Sequence, residues 1–120
     1  MKKLMRMIFP SKGTRAYRKM HRRHIRELMN LVKEDREWDW EYLHVLVLMK
    51  IRHMHEYFTA GNCVMECEET PNIIAELKHV LDLQEQIDTQ APHCLINKKD
   101  VELYNEIYQY IGKNLLGWWD

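Results

Sequence analysis

The chain has 120 residues, a length that suits one domain, and its 46% apolar and 30% charged residues are typical of a globular protein. Its four glycines and three prolines are fewer than the many turns of an all-β sandwich or barrel usually require. The net charge is zero, but residues 1–26 carry ten basic residues and no acid, whereas residues 27–120 carry eight basic and eighteen acidic residues. The sequence therefore joins a basic segment to an acidic remainder.

Neither membrane insertion nor export is expected. The longest apolar run, residues 45–49, is far shorter than the roughly 20 residues of a membrane span. Arg6 interrupts the first apolar stretch and no small-residue cleavage site follows it, which argues against a secretory signal. Cys63, Cys67 and Cys94 fit no disulfide framework, so we expect free thiols in a reducing cytoplasm. We find no internal repeat that would subdivide the chain.

The first predicted element is a basic arm, residues 1–13, which ends in the helix-breaking cluster of residues 10–13. Thr14 is the predicted N-cap of a first helix that runs to about Glu34. Its apolar face is predicted from residues that recur at steps of three and four, namely Tyr17, Met20, His21, His24, Ile25, Leu28, Leu31 and Val32.

Asp39 is the predicted N-cap of a second helix over about residues 40–60, and Gly61 is expected to end that helix. The helical period predicts that its main buried stripe consists of Trp40, Leu43, Val47, Ile51, Met54 and Phe58.

Thr70 is the predicted N-cap, and Pro71 the predicted first residue, of a third helix over about residues 71–88. Asn97 predicts the start of a fourth over about residues 98–111, which Gly112 is expected to stop. The apolar residues that follow, up to Trp119, are expected to pack. The sequence thus predicts an all-α protein, a single compact bundle of about four helices over residues 14–120 with a flexible basic N-terminal arm.

Three stretches, residues 33–43, 50–58 and 61–62, together with the ending Trp118-Trp119-Asp120, resemble a group of small helical proteins encoded by tailed bacteriophages. The similarity covers residues 33–120. It implies a phage origin, a helical fold and a location in the cytoplasm of an infected bacterial cell. No activity is assigned to that group, so the resemblance transfers no functional residue.

The basic segment is the strongest functional feature of the sequence. Arginines on most faces of a helix, preceded by a basic arm, are suited to contact nucleic-acid phosphates through charge alone. No helix-turn-helix spacing or finger motif is present, so we expect binding without sequence specificity. The predicted nucleic-acid-binding residues are Lys2, Lys3, Arg6, Lys12, Arg15, Arg18, Lys19, Arg22, Arg23 and Arg26.

The acidic remainder supports an alternative function, in which the chain is a phage-encoded inhibitor or adaptor that docks on a host defence protein. Trp118 and Trp119, if exposed, would form a partner interface. The basic and acidic segments could instead pair with each other, within one chain or between copies of a homo-oligomer.

Metal-dependent catalysis is the weakest of the alternatives. Two Glu-x-x-His pairs, Glu41/His44 and Glu76/His79, resemble half of a di-iron carboxylate site, for which Glu27 and Glu102 or Glu106 would be the further carboxylates. Such pairs arise by chance in a helical chain with eighteen acids and seven histidines. We therefore expect no metal, no cofactor and no enzymatic activity, with a metal-dependent oxidoreductase as the remote alternative.

Overall fold

The structure is a computed structural model that describes residues 12–60, 68–87 and 97–119. For residues 12–14 it describes the backbone alone. The described residues form four α-helices and one short 3₁₀ turn, and no strand occurs among them. The helices are α1 (Lys12–Glu34), α2 (Trp40–Thr59), α3 (Thr70–Glu85) and α4 (Lys98–Asn114), and the turn is Leu115–Gly117. The prediction of an all-α fold with about four helices is therefore confirmed.

Two of the predicted caps are confirmed. The Asp39 carboxylate accepts a hydrogen bond from the Glu41 backbone N–H at 3.0 Å and begins α2. The Asn97 side-chain oxygen accepts one from the Asp100 backbone N–H at 2.8 Å and begins α4. In both cases a side chain supplies an acceptor that the first turn of a helix lacks.

Other predicted boundaries were wrong. Helix α1 begins at Lys12, so Thr14 lies inside it rather than at its N-cap, and the predicted arm loses its last two residues to the helix. Thr70 is the first residue of α3, where Glu69 takes the N-cap position. Gly112 lies inside α4, which continues to Asn114, because a single glycine lowers helix stability without forbidding the helix. Gly61 lies outside the described residues.

The chain divides into two compact units, Met1–Cys63 and Val64–Asp120. The first contains α1 and α2, which pack against each other, and we call it the N-terminal unit. It holds fourteen basic and seven acidic residues, a net charge of +7. The second contains α3, α4 and the 3₁₀ turn, and we call it the C-terminal unit. It holds four basic and eleven acidic residues, a net charge of −7.

The two units bury different kinds of side chain. In the C-terminal unit α3 packs on α4, and Leu77, Val80 and Ile107 are fully buried. In the N-terminal unit the buried residues include three histidines, which are His24 of α1 and His44 and His53 of α2.

The predicted apolar stripes of α1 and α2 were only partly right. On α1, Met20 and His24 are buried, whereas His21, Ile25 and Val32 are exposed. On α2, Ile51 and Phe58 are buried as predicted, but Trp40 and Leu43 are exposed. His44, Leu48 and His53 are buried instead, because α2 buries a wider part of its circumference than one stripe.

Candidate functional site

One side of α1 is a row of exposed cations. Arg15, Lys19, Arg22 and Arg26 are all exposed, and their spacing of four, three and four residues places them on one face of the helix. That face points away from the buried side chains of Met20 and His24. Among the described residues, no ion pair involves these four side chains. We call them the cationic face.

A shallow groove runs along this face. Lys19, Arg22, Ile25 and Arg26 line a volume of about 480 Å³, in which Ile25 supplies the apolar surface between three cations. No acidic residue occurs in the first turn of α1 or anywhere before Glu27. The positive charge of the groove is therefore not offset by an acid on the same stretch of helix.

Arg23 does not belong to the cationic face, although it was predicted to contact nucleic acid with the others. Its guanidinium donates to Glu27 Oε1 at 3.3 Å and to the carboxylate of Glu56 on α2. The pKa of Arg23 lies above its ordinary value, and the largest cause is the hydrogen bond to the Glu56 carboxylate. Because both carboxylates hold this side chain toward α2, Arg23 joins the two helices instead of presenting charge to a ligand.

Arg23 is one member of a polar network between α1 and α2. The rings of His24 and His53 stack with their centres 3.8 Å apart and their planes within 6° of parallel. His24 Nε2 lies 3.0 Å from Glu56 Oε2, and His53 Nε2 lies 2.9 Å from Glu27 Oε2. The histidine of each helix therefore donates to a glutamate of the other helix. We call the two stacked rings and these two carboxylates the histidine pair.

The sequence of this network repeats. Residues 20–27 read MHRRHIRE and residues 49–56 read MKIRHMHE, so both share the pattern Met-x-x-Arg-His-x-x-Glu. The pattern places equivalent residues opposite each other. His24 stacks on His53, and the glutamate of each helix bonds to the histidine of the other helix. The prediction that the chain has no internal repeat was wrong. Alignment of the chain with itself at an offset of 29 residues finds it.

Burial and hydrogen bonding set the charge states of the histidine pair. The hydrogen bond from His53 lowers the pKa of Glu27, and the hydrogen bond from His24, followed by that from Arg23, lowers the pKa of Glu56. Burial lowers the pKa of His53, and this effect outweighs the opposing hydrogen bond to Glu27. The buried Nδ1 of His53 has no hydrogen-bond partner. A neutral ring that carries its hydrogen on Nε2 suits these surroundings, because a proton on Nδ1 would find no acceptor.

A second groove, with a volume of about 640 Å³, opens over this network between α1 and α2. Arg52, whose guanidinium donates to Glu27 Oε2 at 2.6 Å, lines it with Arg23, Glu27 and Glu56. Its positive and negative groups already pair with each other across the two helices. Glu34 also lines the groove, so the lining carries three acidic and two basic side chains and has no positive charge to offer a phosphate.

The remaining predicted nucleic-acid-binding residues have mixed outcomes. Arg18 is half-buried and has a partner of its own within the chain. Lys12 begins α1, but its side chain lies outside the description. Lys2, Lys3 and Arg6 lie outside the described residues, as do the three cysteines.

The two tryptophans predicted to form an interface differ. Trp118 is buried, and its indole Nε1 donates to Glu76 Oε2 at 2.8 Å, which fixes the C-terminal segment on α3. Trp119 is 60% exposed. Only Trp119 is accessible to a partner, so the predicted pair is reduced to one residue.

Three residues of the proposed di-iron set have other partners within their own units. Over residues 12–60, 68–87 and 97–119, no three His, Cys, Asp or Glu side chains are arranged to hold a metal ion. Glu76 bonds to Trp118, and the His79 ring packs 4.5 Å from that of Tyr110. Glu27 is held by Arg23, Arg52 and His53. Within the described helices, none is long and apolar enough to cross a membrane.

Comparisons with known protein families, with curated proteins and with solved structures give no match.

Proposed function

We propose that the chain binds nucleic acid without sequence specificity, through phosphate contacts made by the cationic face of α1. The observation that carries this proposal is the row formed by Arg15, Lys19, Arg22 and Arg26, exposed along one helix face with no acid beside it. The basic residues 2, 3, 6 and 12 precede that row in the sequence and extend the same charge.

The length of the row suits a phosphate backbone. Arg15 and Arg26 are eleven residues apart, which corresponds to about 16 Å along a helix at a rise of 1.5 Å per residue. Phosphates on one strand of DNA follow at about 3.4 Å of axial rise per nucleotide, so the row spans several of them. Long, exposed Arg and Lys side chains can adjust to that spacing, which favours contact with the backbone over contact with bases.

The contrast with Arg23 supports the assignment of these four residues. Arg23 lies among them in sequence, but its charge is taken by Glu27 and Glu56. The neighbouring Arg22 and Arg26 have no such partner among the described residues and stay exposed. Phosphate binding needs cations that can neutralise phosphates and so release the counterions condensed on the nucleic acid, and the four residues of the cationic face, which no acid neutralises among the described residues, meet that condition.

A salt titration tests the proposal. Binding of the full chain to a fluorescently labelled 20-base-pair DNA is measured by anisotropy between 50 and 300 mM salt. The variant in which all four residues of the cationic face are changed to Gln is measured in parallel. The slope of log K against log salt is negative, and each lost phosphate contact reduces its magnitude by about 0.9. The slope of the variant is therefore expected to be shallower than that of the wild type by up to about 3.6. The same titration with a single-stranded RNA distinguishes the two kinds of nucleic acid.

A matched control is available in the C-terminal unit, which has the same number of basic residues as the cationic face. All four are exposed lysines, namely Lys78, Lys98, Lys99 and Lys113. Their replacement by Gln changes the net charge of the chain by the same amount. If charge alone attracted DNA, both variants would lose the same affinity, whereas the proposal requires that the control keep most of the wild-type slope. Absence of salt-dependent binding by the full chain would refute the proposal.

The net charge of −7 on the C-terminal unit supports a second candidate, an inhibitor or adaptor that docks on a basic surface of a host protein. Its exposed acids include Asp82, Glu85, Glu102 and Glu106. A labelled peptide with the sequence of residues 1–26 is a suitable basic probe for this surface. We expect Glu102→Lys with Glu106→Lys to weaken its binding to the full chain several-fold, and unchanged binding would exclude this surface.

A further inference from the structure

The exposed surface of the N-terminal unit includes an apolar stripe that no function above uses. Ile25, Met29 and Val32 follow one another on α1 at steps of four and three residues, and they are 41%, 55% and 61% exposed. Leu43 and Leu46 of α2 are also exposed, and with Val32 they line a cavity of about 260 Å³. The stripe thus continues from one helix to the other. Exposed apolar surfaces of this extent mark sites of association.

The charges at the two ends of this stripe are opposite. Next to Ile25, the side chains of Lys19 and Arg22 line the same groove and make that end positive. Next to Val32, Asp35, Glu37 and Asp39 line the cavity together with Arg36. Residues 33–39 hold four acidic and two basic residues, Lys33 among the latter, so this end is negative on balance. From α1 into the connection that follows it, the surface therefore runs from cationic through apolar to net acidic.

We propose that this surface joins two copies of the chain about a two-fold axis, with α1 of one copy antiparallel to α1 of the other. With Met29 close to the axis, Ile25 lies opposite Val32 of the second copy, and Arg22 lies opposite Asp35. The three apolar residues of the stripe that lie on α1 then meet apolar residues of the second copy, and each charged end meets its opposite. A two-fold interface requires such a self-complementary surface.

The charge pattern selects a second copy over other occupants. A parallel pairing would place like charges together at both ends, which is unfavourable. A nucleic acid would be attracted to the Arg22 end and repelled from Asp35 and Glu37. In this register residues 23–34 of the two helices overlap, which at a rise of 1.5 Å per residue gives about 18 Å of helix contact, a little less than two heptads.

The mass of the full chain in solution tests the proposal, measured by sedimentation equilibrium without nucleic acid over a hundred-fold range of concentration. We expect the mass to rise from 14.7 kDa to twice that value. Met29→Lys places a charge at the centre of the interface and is expected to raise the dimer dissociation constant at least about tenfold. The control is Leu116→Lys in the C-terminal unit, which is 92% exposed and is expected to leave the constant unchanged.

An exchange of charges tests the antiparallel register. Arg22→Glu and Asp35→Arg are each expected to weaken the dimer, because each places like charges opposite one another. The double variant restores opposite charges and is expected to recover most of the affinity. Circular dichroism establishes that every variant keeps its helical content.

A mass of 14.7 kDa at all concentrations overturns the proposal. A dimer that persists in Met29→Lys, or that shows no recovery in the double variant, also overturns it, because the copies then meet through another surface. Arg22 belongs to the cationic face as well, but the mass is measured without nucleic acid. Failure of this proposal therefore leaves the salt titration unaffected.

Discussion

The N-terminal and C-terminal units are both built on a pair of helices, yet polar groups join one pair and apolar groups join the other. Between α1 and α2, two buried histidines stack and bond to two glutamates, which two arginines hold in turn. Between α3 and α4, the most buried residues are Leu77, Val80 and Ile107, and Trp118 adds one hydrogen bond. Apolar packing supplies more stability for each buried group, whereas a hydrogen-bonded network requires one alignment of its helices.

The difference matters for the proposed function. The histidine pair allows only the register that brings Arg23-His24-x-x-Glu27 opposite Arg52-His53-x-x-Glu56. That register fixes how α1 is rotated against α2, and so directs the cationic face outward. Arg23 is thereby held at Glu56 of α2, while the four residues of the cationic face stay exposed.

The largest effect is expected from Leu77→Ala in the C-terminal unit. Leu77 is fully buried, so the truncation removes apolar contacts and leaves a cavity, which together cost about 2–5 kcal/mol of the free energy of unfolding. Urea denaturation followed by circular dichroism measures the loss. Leu116→Ala, at a 92% exposed position, is the control and should change stability by less than about 0.5 kcal/mol. Equal effects would mean that apolar burial does not hold this unit together.

A smaller loss is expected from Glu27→Ala in the N-terminal unit. The change removes the acceptor of the His53 Nε2 hydrogen at 2.9 Å, and it leaves a buried donor unsatisfied at a cost of about 1–3 kcal/mol. The same denaturation experiment measures it. Glu34→Ala, on the exposed side of the same helix and the same groove, is the matched control. A Glu27 variant as stable as the Glu34 variant would remove the histidine pair as a source of stability.

The two units are also expected to respond to opposite extremes of pH. His53 has a lowered pKa, so its contribution to stability is complete above the ordinary value of 6.5 and declines as the pH falls below it. The lowered pKa values of Glu27 and Glu56 remove further stability below about 4.5. In the C-terminal unit, burial raises the pKa values of Tyr108 and Tyr110, so stability is lost as the pH rises above 10.

Amide hydrogen exchange, resolved by residue between pH 4 and 8 and corrected for the intrinsic rates, measures the acid side of this contrast. Protection of α1 and α2 is expected to fall below pH 6.5, while that of α3 and α4 stays nearly constant. The variant His53→Gln has no titrating ring and should lose most of the dependence between pH 6.5 and 5. An equal decline in all four helices would contradict the assignment to the histidine pair.

The elements of the fold could be predicted because local signals specify them. Helical periodicity located all four helices, and the side chains of Asp39 and Asn97 cap α2 and α4 as expected. The cationic face also follows from spacing alone, since four residues at steps of four, three and four share a face wherever the helix lies. The inward position of Arg23 does not follow from spacing, because it depends on Glu56, which is 33 residues away.

The histidine pair escaped prediction for a related reason. A histidine on an apolar stripe is equally consistent with a core edge, and the partners that decide its role lie on another helix. For His53 that partner is the ring of His24, 29 residues earlier in the chain. The repeat Met-x-x-Arg-His-x-x-Glu holds the missing information, because two equal patterns on antiparallel helices bring equal residues face to face.

The smallest expected effect is a gain, and it comes from the glycine that was expected to stop α4. Gly112 lies inside that helix, and a Cβ atom added there would meet no atom within 4 Å. Alanine costs less conformational entropy than glycine in a helix, so Gly112→Ala should raise the free energy of unfolding by about 0.5–1 kcal/mol. The urea midpoint measures this gain, and Gly117→Ala, beyond the end of α4 and equally unobstructed, is the control. A loss of stability in Gly112→Ala would mean that the residue does end the helix, and the C-terminal unit would then depend on a turn at this point instead of on continuous helix packing.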